Sequence, residues 1–354
     1  MPQTGLDPLR VLAWPAYYDP EENPYNAQLY SHLSRLRVET DEWSPARLRS
    51  GSYHVLHLHW PDLELHEASA VRAARRAGRL VTHLLVARAR GIRIVWTIHN
   101  LRSHERWHPL LEEAMWWCLT RLVHAHISLT EAAQTAAYRR FPALRRAQGF
   151  VVQHGHFRDV LPEPVTREEA RRELAVPGDA VMVLFFGLVR AYKNVDALVR
   201  AFRALRDDRL LLLVAGRPEP ASIGDRVAAS AAGDPRIRLR HEFIATAEVS
   251  VVLMAADLVV LPYRDILNSG TAILALGFGR PVLVPALGSL PDLQAAVGGA
   301  YVRTYTGPLT AGVLAQAIAS LDSGARPAPP DLSSLDWPAI AERTLHVYRA
   351  VLTS

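Results

Sequence analysis

Two loops in the second half of the chain carry residue types that bind a diphosphate. Each loop follows an apolar, strand-like run and precedes a helical pattern. Cationic side chains and the free backbone N–H groups of a helix start are groups that hold phosphate. A solvated loop and an ordinary capped helix are the structural alternatives. The residues of the first loop are Gly187, Arg190 and Lys193, and those of the second are Asn268, Ser269, Gly270 and Thr271.

Lys193 stands out by composition. The chain contains 40 lysines and arginines, and Lys193 is the only lysine among them. Arginine is a planar, forked cation, whereas lysine carries a compact ammonium group. A single lysine in a chain this rich in arginine favours a position that needs the compact group.

The first half holds a second concentration of polar side chains, at His57-Leu58-His59-Trp60-Pro61-Asp62. Because side chains alternate along a strand, His57 and His59 share one face, as two metal ligands would. No third ligand has a telling position, so we expect neither a bound metal nor a cofactor. A carboxylate or a histidine near the end of a strand is also a candidate general base, which takes a proton from a hydroxyl group. The candidates are Asp62, Glu105 and His104, in that order.

Length and composition limit the class of protein. The 354 residues suggest two domains, and 49% hydrophobic with 21% charged residues suits globular cores. The lone cysteine, Cys118, excludes a disulfide framework and fits a reducing compartment. The sequence has no signal-peptide pattern and no apolar run long enough to cross a bilayer, so we expect a cytoplasmic protein. A net charge of +5 allows anionic partners, but the scattered arginines without an aromatic platform do not indicate nucleic-acid binding.

Short apolar runs alternate with helical patterns along most of the chain, which predicts parallel sheets with helices on both faces. A Pro- and Gly-rich stretch at 154–178 divides the pattern into two similar halves. The predicted helices include 25–36, 66–90 and 338–352. The predicted strands are 9–14, 55–59, 92–98, 122–128, 150–153, 181–187, 210–216, 237–239, 258–262 and 281–285.

The motifs of the second half resemble those of GT-B glycosyltransferases of the family 4 type. The segment 185–202 is similar to the signature "FFG-x-I-R-x-YKG-x-x-x-L-I-x-A", and 258–270 is similar to the donor loop "A-D-x-x-V-L-P-Y". The further matches, in the family's order, are His154-Gly155, Gly279-Arg280-Pro281-Val282, Gly288-Ser289-Leu290-Pro291-Asp292 and the closing helix Trp337–Leu352.

The resemblance implies an α/β fold of two doubly wound, Rossmann-like domains that face a central cleft. The implied domains are 1–157, which binds the acceptor and is joined by the helix 336–354, and 158–335, which binds the nucleotide sugar. Arg190 and Lys193 would neutralise the diphosphate of the donor. The remaining implied contacts are Gly187, Asn268, Ser269, Gly270 and Thr271 to the donor, Phe243 and Ile244 to its base, His99 to the donor sugar, and Tyr25, Asn26, His59 and Trp60 to the acceptor.

One departure from the family pattern concerns the donor loop. Many members carry two glutamates, spaced Glu-x7-Glu, at positions that align with Ile266 and Leu274. Asp265 is adjacent to the first position, but we assign it no role. The contacts of these glutamates must be supplied by other groups, and the stereochemical outcome stays open.

The resemblance implies an enzyme, a hexosyltransferase of bacterial polysaccharide synthesis that moves a sugar from GDP-mannose or a UDP-sugar to a glycan or lipid-linked saccharide. A non-hydrolysing sugar-nucleotide epimerase and an inactive nucleotide-binding partner subunit are the alternatives. The arginine-rich helix over Val71–Arg93 suits contact with anionic lipid on the inner face of the cell membrane, although it also fits a packed helix with a basic outer side.

Overall fold

The computed structural model describes residues 8–17, 24–103, 107–158, 165–321 and 329–353. These residues form two compact units: Met1–Gly155 with Ser334–Ser354, and His156–Ser333. Each unit contains a six-stranded, fully parallel sheet with helices between its strands. None of the described helices is both long and apolar enough to span a bilayer.

In the first unit, the strands lie in the order β2-β1-β3-β4-β5-β6. The order reverses between β1 and β3, which pair with Val11 opposite Val55. The elements are β1 (Leu9–Trp14), α1 (Tyr25–Arg35), β2 (Val38–Glu42), α2 (Pro45–Ser50), β3 (Val55–Leu58), α3 (Ala70–Ala89), β4 (Arg93–Ile98), α4 (Pro109–Leu122), β5 (Ala125–Ser128), α5 (Glu131–Arg140), β6 (Gln148–Val151) and the C-terminal α13 (Trp337–Leu352).

In the second unit, the strands lie in the order β12-β11-β10-β7-β8-β9, which is the arrangement of dinucleotide-binding Rossmann domains. The order reverses between β7 and β10. The elements are α6 (Arg167–Glu173), β7 (Val181–Phe186), α7 (Val195–Arg203), β8 (Leu210–Ala215), α8 (Ala221–Ala231), β9 (Ile237–Arg240), α9 (Thr246–Ala255), β10 (Leu258–Val260), α10 (Gly270–Gly277), β11 (Val282–Pro285), α11 (Leu290–Val297), β12 (Val302–Tyr305) and α12 (Ala311–Ala319).

The helix α13 returns from the second unit and packs into the core of the first. Its side chains Trp337, Ile340 and Tyr348 are fully buried in the cluster that contains Val11 and Leu29. Burying an apolar side chain of this size contributes about 1.5–3 kcal/mol. Several such side chains are therefore enough to hold the C-terminal segment on the first unit.

The structure corrects the predicted elements at several places. The helix predicted from His66 starts later, at Ala70, because Pro61–Leu65 form a 3-10 helix and the Ser69 hydroxyl accepts the first free N–H, from Arg72. Two strands, β2 and β12, were missing from the prediction, as were several helices, among them α2, α4 and α5. The sequence of β2 is Val-Glu-Thr-Asp-Glu, and such a polar strand is stable only because it pairs along β1.

Candidate functional site

In the second unit, the loops after β7 and β10 meet where the strand order reverses. Ligands of open α/β sheets bind beyond the carboxyl ends of the strands at this type of position. The first loop ends in a 3-10 turn over Ala191–Lys193, and Asn194, with a φ of 55°, starts α7. The topology therefore places both predicted donor loops at the expected position for a ligand.

Lys193 is buried without a counter-ion. Its side chain is 9% exposed, and in the described part of the chain no carboxylate oxygen forms an ion pair with it. Burial, together with the positive charge of Arg190, lowers the pKa of Lys193 to about 7. A buried ammonium in this state gains stability when an anion binds next to it.

Gly187 brings the two loops together. A Cβ built on Gly187 would lie 3.3 Å from Nζ of Lys193 and 3.6 Å from Oγ1 of Thr271. The ammonium and the start of α10 therefore border one small space next to this glycine. Its φ of +105° is also a backbone conformation that glycine adopts without strain. A larger residue at 187 would fill the space in which we expect the anion.

Further contacts fix the loop that leads into α10. The Ser269 hydroxyl accepts the N–H of Ala272, and it lies 3.0 Å from the Tyr263 hydroxyl. The N–H of Arg264 donates to the Tyr192 carbonyl, and the rings of Tyr192 and Tyr263 stack. These contacts join the two loops, so the start of α10 and Lys193 are held as one site.

The structure gives Arg190 a partner that sequence reasoning missed. Its guanidinium donates from Nε to Oε2 of Glu219 at 2.9 Å and makes a second bond to the same oxygen from Nη2. Glu219 lies in the loop after β8 and belongs to no motif of the family signature. The carboxylate of Glu219 therefore orients the Arg190 guanidinium and partly neutralises its charge. Lys193 has no such ion pair among the described residues.

The predicted base-binding segment follows β9. The Phe243 ring is 41% exposed, with the guanidinium of Arg217 5.9 Å from its centroid, and Ile244 is buried. In the loop before α8, a Cβ on Gly216 would lie 2.1 Å from the Gly187 carbonyl oxygen, so only glycine fits there. The roles of Phe243 and Ile244 in binding the base remain predictions.

In the first unit, buried histidines form a hydrogen-bonded chain at the ends of β3 and β4. The Tyr30 hydroxyl lies 2.8 Å from Nε2 of His59, and Nδ1 of His59 lies 3.0 Å from Nε2 of His99. On the other side, Nδ1 of His57 lies 3.0 Å from the Tyr30 hydroxyl and 2.7 Å from the Tyr348 hydroxyl. The chain thus links α1, β3, β4 and the C-terminal helix α13.

Burial keeps the imidazoles of this chain neutral. It lowers the pKa of His57 to about 3 and holds the pKa values of His59 and His99 well below the ordinary range. A neutral imidazole donates from one nitrogen and accepts at the other. When Nδ1 of His59 carries the proton, it donates to Nε2 of His99, and Nδ1 of His99 is then the donor of that ring. When Nε2 of His59 carries the proton, Nε2 of His99 is the donor instead. Because the Tyr30 hydroxyl bonds to Nε2 of His59, its orientation is coupled to this choice.

These hydrogen bonds argue against a role of His57 and His59 as metal ligands, because they occupy the ring nitrogens that would bind the metal. The two rings lie on one face, 4.2 Å apart, as the strand periodicity predicts. Nε2 of His57 is engaged by the Thr97 hydroxyl at 2.8 Å, so all four ring nitrogens of the pair have partners. Among the described residues, no group of three His, Cys, Asp or Glu side chains is arranged to hold a metal ion.

The predicted acceptor residues lie close to His99. The Trp60 ring stacks on the His99 ring at 4.1 Å, and Tyr25 presents its ring edge-on to His99 at 5.0 Å. Asn26 donates from Nδ2 to the Pro15 carbonyl at 2.8 Å and so supports the loop after β1. Tyr25, His59, Trp60 and His99 thus form one cluster, and Asn26 acts on the adjacent loop.

Asp62, the first of the predicted bases, is buried in the 3-10 helix after β3. Burial, reinforced by the nearby carboxylate of Glu112, raises its pKa to about 7, although a hydrogen bond from Asn100 opposes the shift. A carboxylate with a pKa near neutrality suits proton abstraction. The other two candidates, His104 and Glu105, lie outside the described residues.

Two parallel, doubly wound units, one with an ammonium and a helix start at its reversal of strand order, are the arrangement expected of a GT-B glycosyltransferase. Residues 180–321 match the family described as "Glycosyl transferases group 1". The chain is 32% identical over 332 residues to the GDP-mannose:glycolipid 4-beta-D-mannosyltransferase of Xanthomonas campestris pv. campestris, covering 93% of this chain and 89% of that protein. The chain belongs to this family of GT-B glycosyltransferases and is a hexosyltransferase.

Solved structures show the same fold. A sucrose-phosphate synthase from Thermosynechococcus elongatus matches with a TM-score of 0.72 at 18% identity, covering 98% of this chain and 99% of that chain. HepE from Anabaena, solved in complex with UDP-glucose, matches with a TM-score of 0.66 at 14% identity, covering 98% of both chains. The predicted fold class is therefore confirmed.

The state of Lys193 predicts how sugar-nucleotide binding depends on pH. The ammonium is present below a pKa of about 7 and is lost as pH rises through that value. Both phosphates of a sugar nucleotide stay ionised throughout this range. We therefore expect the dissociation constant of GDP-mannose or UDP-glucose, whichever binds, to rise about ten-fold per pH unit above pH 7, as measured by titration calorimetry between pH 6 and 8.5.

Lys193→Met should weaken that binding at least about ten-fold at pH 6.5 and leave it independent of pH, because the charge-assisted contact is gone. Arg200→Gln is the matched control, since Arg200 is an exposed cation on α7 that pairs with Asp196. Unchanged affinity in the Lys193 variant would show that the ammonium does not bind the diphosphate.

Proposed function

We propose that this enzyme transfers mannose from GDP-mannose to a lipid-linked saccharide. The observation that carries the donor half is the uncompensated ammonium of Lys193 beside Gly187 and Thr271. A nucleoside diphosphate leaving group develops negative charge as its bond to the sugar breaks, and preorganised cations and N–H groups stabilise that charge. The choice of mannose and of a glycolipid acceptor rests on the printed name of the Xanthomonas relative.

In this proposal, residues of the first unit handle the acceptor. Asp62 takes the proton of the attacking hydroxyl, because its pKa of about 7 makes it a stronger base than an ordinary carboxylate while about half of it is ionised at neutral pH. His99 stays neutral and donates or accepts a hydrogen bond at the sugar, in the orientation set by His59 and Tyr30. Tyr25 and Trp60 fix the His99 ring by their contacts with it.

The donor is tested by thermal unfolding with GDP, UDP, dTDP and ADP, each at the same concentration. A ligand at 100 times its dissociation constant stabilises the folded state by about 2.7 kcal/mol. GDP should give the largest increase in Tm, and Lys193→Ala should reduce this increase by about half or more, as expected for binding that is at least about ten-fold weaker. A larger shift with UDP would overturn the choice of GDP-mannose without affecting the assignment as a transferase. Isotope exchange at the sugar carbon without acceptor would instead indicate an epimerase.

The pH dependence of turnover tests the base. The ionised form of Asp62 is present above a pKa of about 7 and is lost as pH falls below it, so kcat/KM should decrease about ten-fold per unit on the acid side. Asp62→Asn should lower kcat at least about 100-fold, as expected for loss of a general base. His99→Asn should retain the acid limb, because His99 is neutral over this range. An acid limb that survives in Asp62→Asn but vanishes in His99→Asn would reverse the assignment.

We also propose peripheral contact with an anionic membrane through α3 and α4. Arg75 and Arg79 on α3 are exposed, as the sequence predicted for one side of this helix. On α4, Leu110 is 88% exposed and Trp117 is 60% exposed, and their spacing of seven residues puts them on the same side of the helix. Exposed apolar and cationic groups together are the composition that binds anionic lipid surfaces.

Co-sedimentation with vesicles of phosphatidylcholine and phosphatidylglycerol tests this contact. Each cation near an anionic surface contributes about 1 kcal/mol, so Arg75→Gln should weaken vesicle binding about five-fold. Trp117→Ala should weaken it as well, whereas Leu287→Ala, an exposed apolar residue of the second unit, should not. Equal binding of all variants, or binding to pure phosphatidylcholine only, would refute the proposal.

A further inference from the structure

A buried series of hydroxyl and imidazole groups connects Thr97 to His99 inside the first unit. Thr97 belongs to β4 and His99 directly follows this strand, but the contacts between their side chains pass through β3, α1 and α13. Each group has one hydrogen to donate, so the direction of the first hydrogen bond restricts the direction of the others. The groups of this relay are, in order, Thr97, His57, Tyr348, Tyr30, His59 and His99.

The Thr97 hydroxyl determines which nitrogen of His57 is protonated. Thr97 is 1% exposed, and among the described residues its hydroxyl has one hydrogen-bond partner, Nε2 of His57 at 2.8 Å. A buried hydroxyl hydrogen that lacks an acceptor destabilises the folded state, so Thr97 donates its hydrogen to this nitrogen. Because burial keeps His57 neutral, a ring that accepts at Nε2 carries its proton on Nδ1.

The proton on Nδ1 of His57 in turn directs two tyrosine hydroxyls. Nδ1 lies 2.7 Å from the Tyr348 hydroxyl and 3.0 Å from the Tyr30 hydroxyl, and as a donor it accepts from neither. The two buried hydroxyls also interact with each other, and Tyr30 is bonded to Nε2 of His59 at 2.8 Å. Within this relay, both hydroxyl hydrogens have an acceptor only if Tyr348 donates to Tyr30 and Tyr30 donates to His59.

The same direction continues to His99. Because Nε2 of His59 accepts, this neutral ring carries its proton on Nδ1, which lies 3.0 Å from Nε2 of His99. His99 accepts at Nε2 and therefore carries its own proton on Nδ1. The opposite direction would leave at least one buried hydroxyl hydrogen, that of Thr97 or that of Tyr348, without an acceptor within the relay.

We infer that Thr97 is a positioning residue that fixes the proton of His99 on Nδ1. Its hydroxyl sets the direction of the hydrogen bonds that run through His57, the two tyrosines and His59. In this tautomer, His99 donates a hydrogen bond from Nδ1 to an oxygen atom of the substrate, whereas Nε2, which could accept a proton, is bonded to His59. The contact with the substrate rests on the proposed function, but the tautomer does not.

NMR of the enzyme with ¹⁵N-labelled histidine rings reads the tautomers directly. Long-range ¹H–¹⁵N correlation distinguishes a protonated ring nitrogen from an unprotonated one, and the spectra of His59→Gln and His99→Gln assign the signals. In the donor-free enzyme at neutral pH, we expect Nδ1 to be protonated in both His59 and His99. A proton on Nε2 of His99 would overturn the inference, and this measurement on the unsubstituted chain does not depend on any variant of Thr97.

Two substitutions of Thr97 test whether its hydroxyl sets the tautomer. Thr97→Val removes the hydroxyl and keeps the shape, so both directions of the relay become populated and signals of the second His99 tautomer appear. Thr97→Ser keeps a hydroxyl and should restore the single tautomer. As the population of the competent tautomer falls, kcat of Thr97→Val should decrease about two- to ten-fold with little change in the KM of the donor, and kcat of Thr97→Ser should stay close to that of the unsubstituted enzyme.

Tyr30→Phe and Tyr53→Phe form a matched pair of variants. Tyr30→Phe interrupts the relay and should give a mixture of His99 tautomers, as Thr97→Val does. The Tyr53 hydroxyl also bonds within the first unit, to Asp41 at 2.8 Å, but it is not part of the relay, so Tyr53→Phe should leave the His99 signals unchanged. A single, unchanged tautomer in Thr97→Val, or a mixture in Tyr53→Phe, would refute the role of Thr97.

The GDP-dependent Tm shift, measured in the same preparations, separates this inference from the proposed function. Absence of the shift together with the expected tautomers would refute the donor assignment and leave the relay standing. A normal shift together with His99 protonated on Nε2 would refute the relay alone.

Discussion

The candidate site of the second unit depends on a buried ammonium group that forms no ion pair with a carboxylate of the described residues. Transfer of a charge out of water is unfavourable by several kcal/mol unless another charge or a set of hydrogen bonds compensates it. Here the protein leaves Lys193 uncompensated, and its pKa falls to about 7. Gly187 keeps the adjacent space open, and the Thr271 hydroxyl at the start of α10 borders the same space. In the proposed function, a bound diphosphate compensates this buried charge.

The polar cluster of the first unit is also buried, but its groups are neutral. Its histidine chain is fully buried, and every ring stays uncharged because a charged imidazole would be poorly solvated there. Hydrogen bonds from Tyr30 and Tyr348 replace the lost contacts with water. Because Tyr348 belongs to α13, the last helix completes this chain as well as the apolar core. The C-terminal segment therefore takes part in organising the polar cluster around His99.

The sequence predicted those parts of the fold and site that local pattern determines. Apolar runs such as Val181–Phe186 are strands because both faces are buried, and Lys193 and Thr271 meet because parallel strands end at one edge. Contacts between residues far apart in the sequence could not be predicted from local pattern. The bond between His57 and Tyr348 joins residues 291 positions apart. The Arg190–Glu219 pair also depends on which loops lie side by side, and no sequence motif predicts that contact.

The departure from the family pattern at Ile266 and Leu274 has a physical counterpart in the state of Lys193. A carboxylate close to an ammonium favours its charged form and raises its pKa. Apolar residues occupy both family glutamate positions, Ile266 in the loop that leads into α10 and Leu274 within α10 itself, so neither position adds negative charge. That loop is held by backbone contacts instead: the Ser289 N–H donates to the Leu267 carbonyl at 2.9 Å, and Gly288 fits against the Ile266 carbonyl, where a Cβ would approach to 2.3 Å. These backbone contacts hold the donor loop without the glutamates, and in the proposed function the diphosphate of the donor is the anion that pairs with the ammonium.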